Sequence, residues 1–494
     1  MLRKVRIIIA LIVFVAITLL FVDFTGVAQT HLSFFAKIQF MPALMAVNVV
    51  VILLLLLSSL IFGRLYCSIL CPLGIMQDIF AFLGRKRKKN RYHFSPERKW
   101  LRRSILLIFI ILLFLGVNCV VTLISPYSAY GRIAQNILSP IYGGCNNLLA
   151  FLSEKLNVYT FYQTEVFLRS IAAFIVSIIT LLVLGFIAWK SGRIYCNTIC
   201  PIGTLLGLLS KYSILKPSID TTKCNGCGKC ARNCKASCIN SKKHEIDTSR
   251  CVTCFDCIEN CNQNAIHYSL RRKENPKTEP DTEKDGISRR KFLTVTGVAL
   301  ASAMAYGQGK LTDGGLAPIV KKIEPQRRKK IIPAGAESYK NLERHCTGCQ
   351  LCIATCPQKI LRPSMNAENF MQVEMTFEHG YCPDYCTKCS DVCPAGAIKK
   401  ITKEEKTDIK IGHASVRRKY CIPLTNGDEC GLCAQKCPVG AIQMVHFKRS
   451  DPTSPLVPAI NTEKCIGCGK CEYYCPARPL SAIYIEGYEV HMRK

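Results

Sequence analysis

Among 494 residues there are only 34 Asp and Glu against 65 Lys and Arg, only 9 His, and no Cys-x-x-Cys-His anywhere. Each absence excludes a chemistry. Covalently attached haem needs that missing motif. His31 and His93 fall in loops and no histidine falls inside a long apolar run, which excludes haem held by paired intramembrane histidines. No flavin or Gly-x-Gly-x-x-Gly dinucleotide fingerprint occurs, so the chain is not a self-contained NAD(P)H oxidoreductase. The scarcity of acids leaves a formal charge of +31, which would suggest nucleic acid or anionic lipid. That count treats every cysteine as neutral. Four thiolates around an oxidised four-iron cluster leave about −2 per site, and six or seven such sites would cancel on the order of 12 to 14 positive charges. Nucleic acid is therefore not an expected partner.

What the chain has in abundance is cysteine, 31 residues, and apolar sequence, 49%. The apolar sequence is concentrated before residue 210. Four stretches are long enough to span a bilayer, which needs about 20 residues: Ile7 to Ala28, Met41 to Phe62, Ile105 to Ile124 and Val166 to Trp189. Residues 85–103 hold ten Lys or Arg against the single Glu97, whereas 125–165 hold only Arg132 and Lys155. The basic loop and the N-terminus are therefore expected in the cytoplasm.

This part contains a repeat. GRLYCSILCPLG (63–74) and GRIYCNTICPIG (192–203) agree at Gly, Arg, Tyr, both Cys, Pro and the last Gly. Cys-x3-Cys puts two thiols one helical turn apart. Cys67 and Cys71 with Cys196 and Cys200 supply four soft ligands, enough for one further iron–sulfur centre, expected at the cytoplasmic membrane surface.

Cys-x2-Cys-x2-Cys-x3-Cys, repeated, is the signature of a two-cluster ferredoxin in which the fourth cysteine of each run ligates the other cluster. Residues 224–261 carry it. Cys224, Cys227, Cys230 and Cys261 are assigned to one 4Fe-4S centre, and Cys251, Cys254, Cys257 and Cys234 to a second. Lys235 and Asn262 stand where proline usually follows, and Cys238 is a surplus, competing thiol. Four more runs lie near the C-terminus: Cys346, Cys349, Cys352 and Cys356; Cys382, Cys386, Cys389 and Cys393; Cys421, Cys430, Cys433 and Cys437; and Cys465, Cys468, Cys471 and Cys475. They imply four more clusters, six in all, with the pairing of runs left open between 1–2 with 3–4 and 1–4 with 2–3. The segment IKKITKEEKTDIKIG between runs has strand character. Cys119 and Cys145 stand apart and are read as unconnected thiols.

Between the two ferredoxin parts, SRRKFL (288–293) opens a weakly apolar run ending in small residues, the layout of a twin-arginine export signal. Folded export suits a domain whose clusters are assembled inside the cell. The expected organisation is thus a four-helix membrane domain (1–212), a cytoplasmic two-cluster ferredoxin (213–272), a linker (273–287), the signal or anchor (288–309) and an exported, periplasmic four-cluster array (310–494). The fold class is an α-helical membrane domain, with a fifth span if the signal is retained, joined to α+β ferredoxin-like modules.

These residues resemble two partners of the periplasmic nitrate reductase system in one chain. Residues 1–270, with both Cys-x3-Cys-Pro repeats, resemble the NapH-type membrane quinol dehydrogenase subunit. Residues 286–494, with SRRKFL and the four cysteine runs, resemble the NapG-type and MauM-type subunit. The membrane part is also similar to the regulator of nitrous oxide reductase. The resemblance implies a bacterial inner-membrane protein that takes electrons from quinol and passes them to a periplasmic reductase or c-type cytochrome; the alternative is an assembly or redox-regulatory protein. His31 and Arg169 are quinone-site candidates by location alone, and no catalytic residue is assigned.

Overall fold

The computed structural model describes residues 1–86, 92–157, 160–270 and 322–493. The expected linker (273–287) and the expected twin-arginine signal (288–309) lie outside the described residues.

The apolar half is helical, but among the described residues two helices, not the four expected, are long and apolar enough to cross a membrane. Leu2–Val22 and Ile171–Ser191, 21 residues each, are long and apolar enough to cross a membrane, and Val49–Phe62 is apolar but shorter. The second expected stretch begins as a separate short helix, Phe40–Met45, and restarts after Val47 (φ 52°), where the Asn48 side chain accepts from Val51 N–H. The third is split at Gly116 (φ 76°) into Lys99–Phe114 and Asn118–Ile124. Glycine is the residue that enters this left-handed turn without Cβ strain.

The helices run between the two cysteine-rich units. At one end, Arg3 pairs with Asp256 and Glu259, the Tyr268 hydroxyl donates to Phe62 O at 2.9 Å, and Arg102 donates to Ser249 Oγ. At the other, Asn118 donates to Glu343 O, Ser128 to Thr347 O at 2.6 Å, and Arg169 to Leu361 O at 3.2 Å. Large apolar side chains stay exposed along the helices between these ends, among them Leu11, Ile12, Leu54, Ile108, Leu182 and Phe186. A 21-residue helix is about 31 Å long, close to the thickness of a bilayer core.

The ferredoxin parts are α+β, with short helices and five two-stranded antiparallel sheets among the described residues. In the first unit Leu215–Ile219 pairs with Ile266–Leu270, closing the segment on itself. In the second, Ile409–Val416 pairs with Ile483–Arg493 and ties the module of the first two runs to that of the last two. The segment expected to be strand is only partly so. Thr402 and Glu405 form a capping box that nucleates the helix Lys403–Asp408, and the strand begins at Ile409.

Candidate metal centres

The repeated motif builds one centre from two interlocked halves, and every matched residue has a part in it. Gly63 (φ 72°) and Gly192 (φ 65°) end the helices Val49–Phe62 and Ile171–Ser191 and turn the chain back. Arg64 and Arg193 are fully buried, and each crosses to the other repeat: Arg64 donates to Cys196 O at 3.0 Å, and Arg193 donates to Cys67 O. The last glycine makes room for that exchange. A Cβ on Gly74 would lie 2.4 Å from Cys67 O and 2.9 Å from Arg193 Nη1; one on Gly203 would lie 2.2 Å from Cys196 O and 2.7 Å from Arg64 Nη2. Tyr66 donates to Gln39 Oε1 at 3.0 Å, and Tyr195 to Ile124 O at 2.8 Å, fixing each half to a neighbouring segment. Pro72 and Pro201 keep the second cysteines out of the helix and start new ones. Each Cys-x3-Cys pair therefore straddles a helix break, not one continuous helix face. Gly74→Ala or Gly203→Ala is expected to cost about 1–3 kcal/mol by overpacking against backbone, seen as a lower melting temperature of the detergent-solubilised protein.

All four cysteines are buried, and they share one apolar core with Phe40, Tyr127 and, from the C-terminal array, Cys349, Val392 and Ala395. They lie inside the helical bundle. After Phe62 and Ser191 the chain turns into the buried core, where carbonyls, Asn197 Oδ1 and one carboxylate accept from the two arginines.

That carboxylate is Asp78, which the sequence reading did not single out. It accepts from Arg193 Nε at 2.7 Å and pairs with Lys235 at 2.8 Å and Arg6 at 3.1 Å. Burial works against its charge, but Arg193 and Lys235 outweigh it and hold the carboxyl far below the usual range. Lys235 occupies the place of the usual proline and has a reason to: its carbonyl accepts from Arg193 N–H at 2.7 Å, and its ammonium also reaches Asp256 at 3.5 Å. At the second departure, Asn262 Oδ1 accepts from Lys229 Nζ at 2.7 Å.

In the first ferredoxin unit, Cys257 lies within electrostatic reach of Cys254, Cys251 and Cys234, and Cys230 within that of Cys224 and Cys227. Cys238 sits 3.5 Å from Cys234, Sγ to Sγ, and contacts Cys251 as well. In the second unit, Cys352 neighbours Cys346, Cys349 and Cys393, while Cys389 neighbours Cys382, Cys356 and Cys386. Cys433 neighbours Cys430, Cys475 and Cys421, and Cys468 neighbours Cys465, Cys437 and, across the module boundary, Cys382. The runs therefore pair 1–2 and 3–4, each lending its fourth cysteine to its partner.

Direct contacts link neighbouring cysteine groups. Cys382 N–H donates to Cys468 O at 2.9 Å, joining the two modules of the second unit. Tyr127 shares one buried core with Cys349 of the array and with Tyr66, Cys67, Cys71 and Cys200. Arg64 reaches from Cys67 Sγ at 4.0 Å to Ser249 O at 3.3 Å, next to Cys251. Asn197 donates to Ala236 O at 3.0 Å, two residues from Cys234.

The donor set fits iron–sulfur clusters. Among the described residues no three His, Cys, Asp or Glu side chains come together tightly enough to hold a single ion. A four-iron cluster places each thiolate on its own iron and so spreads them wider than one metal does. Backbone N–H groups point at sulfurs as cluster ligands require: Ala265 to Cys261 at 3.3 Å, Ile398 to Cys393 at 3.4 Å, Ala441 to Cys437 at 3.2 Å and Gly203 to Cys200 at 3.3 Å. Lys406 donates to Cys382 Sγ at 3.1 Å. Positive charge and a hydrogen bond at sulfur raise a cluster's potential, so Lys406→Met is expected to lower one midpoint potential in a redox titration. Cys119 and Cys145 are free thiols. Of the quinone-site candidates, His31 is exposed, and Arg169 ties the helical part to Leu361 O.

A 4Fe-4S binding domain matches residues 44–90 and 172–219, each containing one Cys-x3-Cys-Pro repeat. A 4Fe-4S dicluster domain matches 345–397 and 426–478, in agreement with the observed pairing of runs. The methylamine utilization ferredoxin-type protein MauN of Methylobacillus flagellatus is 25% identical over 174 residues, 35% of this chain and 48% of the relative. MauM of Methylorubrum extorquens is 28% identical over 38% of this chain and 84% of the relative. The ferredoxin-type protein NapF of Escherichia coli is 28% identical over 29% of this chain and 79% of the relative. The chain thus spans about half the length of the MauN relative but most of the other two. No solved structure matches. The chain carries four 4Fe-4S-binding domain matches and is a homologue of ferredoxin-type iron–sulfur proteins.

Proposed function

We propose that this chain is a membrane-bound iron–sulfur electron-transfer protein that oxidises quinol and passes the electrons to an acceptor on the exported side, a reductase or c-type cytochrome. Its place is the bacterial inner membrane, with residues 213–272 in the cytoplasm and 310–494 in the periplasm. The observation that carries this reading is the position of Cys67, Cys71, Cys196 and Cys200: inside the helical bundle, between a ferredoxin unit at each end. An iron–sulfur centre takes up and gives back one electron without breaking bonds. Six ferredoxin sites and a seventh at the repeats would form an unbroken file from one face to the other. The NapH-like and NapG-like halves, separate in the family they resemble, would then be one conductor.

The chain's own residues do the positioning. Arg64 and Arg193 lock the two repeats together, and their contacts with Ser249 O and Lys235 O hold the first ferredoxin unit against the bundle. Tyr127 packs in the core that holds both the central cysteines and Cys349 of the array. The exposed apolar belt supports burial in lipid, where such a surface carries no penalty.

Two outcomes are expected. In proteoliposomes, a membrane-impermeant reductant added on one side should reduce centres on both. Reduction confined to the near side would contradict the file. Replacing Arg289 and Arg290 by Lys should leave residues 310–494 protected from protease in sealed spheroplasts, and cleavage equal to the parent's would contradict the export route.

A further inference from the structure

A cavity of about 340 Å³ opens at the array end of the bundle, between the end of Leu2–Val22, the helix Ser139–Lys155 and the segment 162–169. One side of it is aromatic, with Phe24 packed edge-on against Tyr162 at 5.6 Å and near Tyr142 at 6.0 Å. Cys356, which neighbours Cys389 of the site with Cys382 and Cys386, also lines it. The helix Ser139–Lys155 bordering the cavity leaves Ile141, Tyr142, Leu148 and Leu149 exposed, so an apolar molecule has an apolar approach.

Two polar atoms in this lining have no partner. Gln29 is 5% exposed and Gln135 is 7% exposed, and the side-chain oxygen of each is buried without a hydrogen bond. The orientation of Gln29 is fixed, because its Nε2 donates to Leu20 O at 3.1 Å and Asp23 O at 2.8 Å, which leaves Oε1 as the unused acceptor. A buried acceptor without a donor is costly, and a native site that keeps two of them in one cavity is built for a ligand that brings donors. The required ligand has two hydroxyl donors on a flat apolar ring.

We propose that the ring of a membrane quinol binds in this cavity, its hydroxyls donating to Gln29 Oε1 and Gln135 Oε1 and its ring lying against the Phe24, Tyr142 and Tyr162 aromatics. The inference rests on the quinol reading above and assigns it a site. Another cavity, about 300 Å³, lies at the opposite end beside Arg6, Asp78 and Lys235. Asp78 and Lys235 are already paired with one another there, and no unsatisfied acceptor lines it. It is the alternative that the experiment separates.

The test uses the purified full chain in nanodiscs and two probes: a photoreactive azidonaphthoquinone, mapped by peptide mass spectrometry, and a hydroxyquinoline N-oxide quinol analogue, titrated by fluorescence quenching. Labelling is expected in peptides containing residues 21–29, 135–143 or 162–169. Gln29→Leu with Gln135→Leu should weaken analogue binding about ten- to a hundredfold, as two lost hydrogen bonds would, with iron content and circular dichroism unchanged. Tyr162, 61% exposed, supplies a variant that does not threaten folding, and Tyr162→Ala should weaken binding about three- to tenfold. Label concentrated at Ile79 and Phe82, or unchanged affinity in these variants, would overturn the site while leaving quinol use intact. Failure of the parent chain to bind either probe would overturn the quinol reading itself.

Discussion

Replacing Cys71 and Cys200 together by serine is expected to remove one iron–sulfur centre and slow electron exchange between the two ferredoxin units by about a hundredfold or more, which is about 2.7 kcal/mol or more in barrier. The expectation follows from geometry. Both thiols are buried in the core that also holds Cys349 of the array, and no other cysteine set lies between the two units among the described residues. If these residues were only small apolar fillers, the variant would keep its iron and its rate. Iron analysis against protein concentration, with stopped-flow reduction of the array by a reductant acting on the first unit, separates the two outcomes. Loss of iron with an unchanged rate would mean that electrons bypass the repeats.

Asp78→Leu should be the most destabilising single change in the bundle. It strips the carboxylate from Arg193, which is fully buried, and from Arg6 and Lys235, which are nearly so. Removing one partner of a buried ion pair leaves an uncompensated charge and costs about 3–5 kcal/mol. The expected readout is a large fall in unfolding midpoint in mixed micelles, together with loosening of the first ferredoxin unit, because Arg193 and Lys235 join the two. The pH dependence has a defined sign. The folded-state carboxyl is depressed, so its stabilisation is complete above the ordinary carboxylate range and is lost as pH falls below that range toward the folded value. A midpoint insensitive to Asp78→Leu would show that the network is not what joins bundle and ferredoxin.

Much of this site is legible in the cysteine spacing, since Cys-x2-Cys-x2-Cys-x3-Cys constrains which thiols can share a cluster. The pairing of the four C-terminal runs is not, because every run offers the same ligands and only tertiary contacts such as Cys352 with Cys393 choose among them. The helical part shows the same division. The repeat is obvious as sequence, but its depth is hidden. An arginine after an apolar run reads as a border of that run, and what lets Arg64 and Arg193 turn inward is the other repeat's carbonyl, more than 120 residues away in the chain. Asp78 looks like an ordinary polar position on an amphipathic helix, and Gln29 and Gln135 carry no motif at all. Lys235 was the one visible hint: a departure from the usual proline at a place where a proline could supply no ammonium for Asp78. The broken spans have an equally local cause, in Val47 and Gly116, whose left-handed backbone stops helices that hydropathy alone would continue.

The most direct test of the account is anaerobic mixing of the reconstituted, fully loaded chain with menaquinol, followed by cluster absorbance and electron paramagnetic resonance. Quinol gives up two electrons and each centre accepts one, so the account predicts that at least two centres are reduced together and that signals of the C-terminal array follow. A protein that carries six or more clusters yet shows none reduced by quinol at a useful rate would contradict quinol oxidation and favour an assembly or redox-regulatory role.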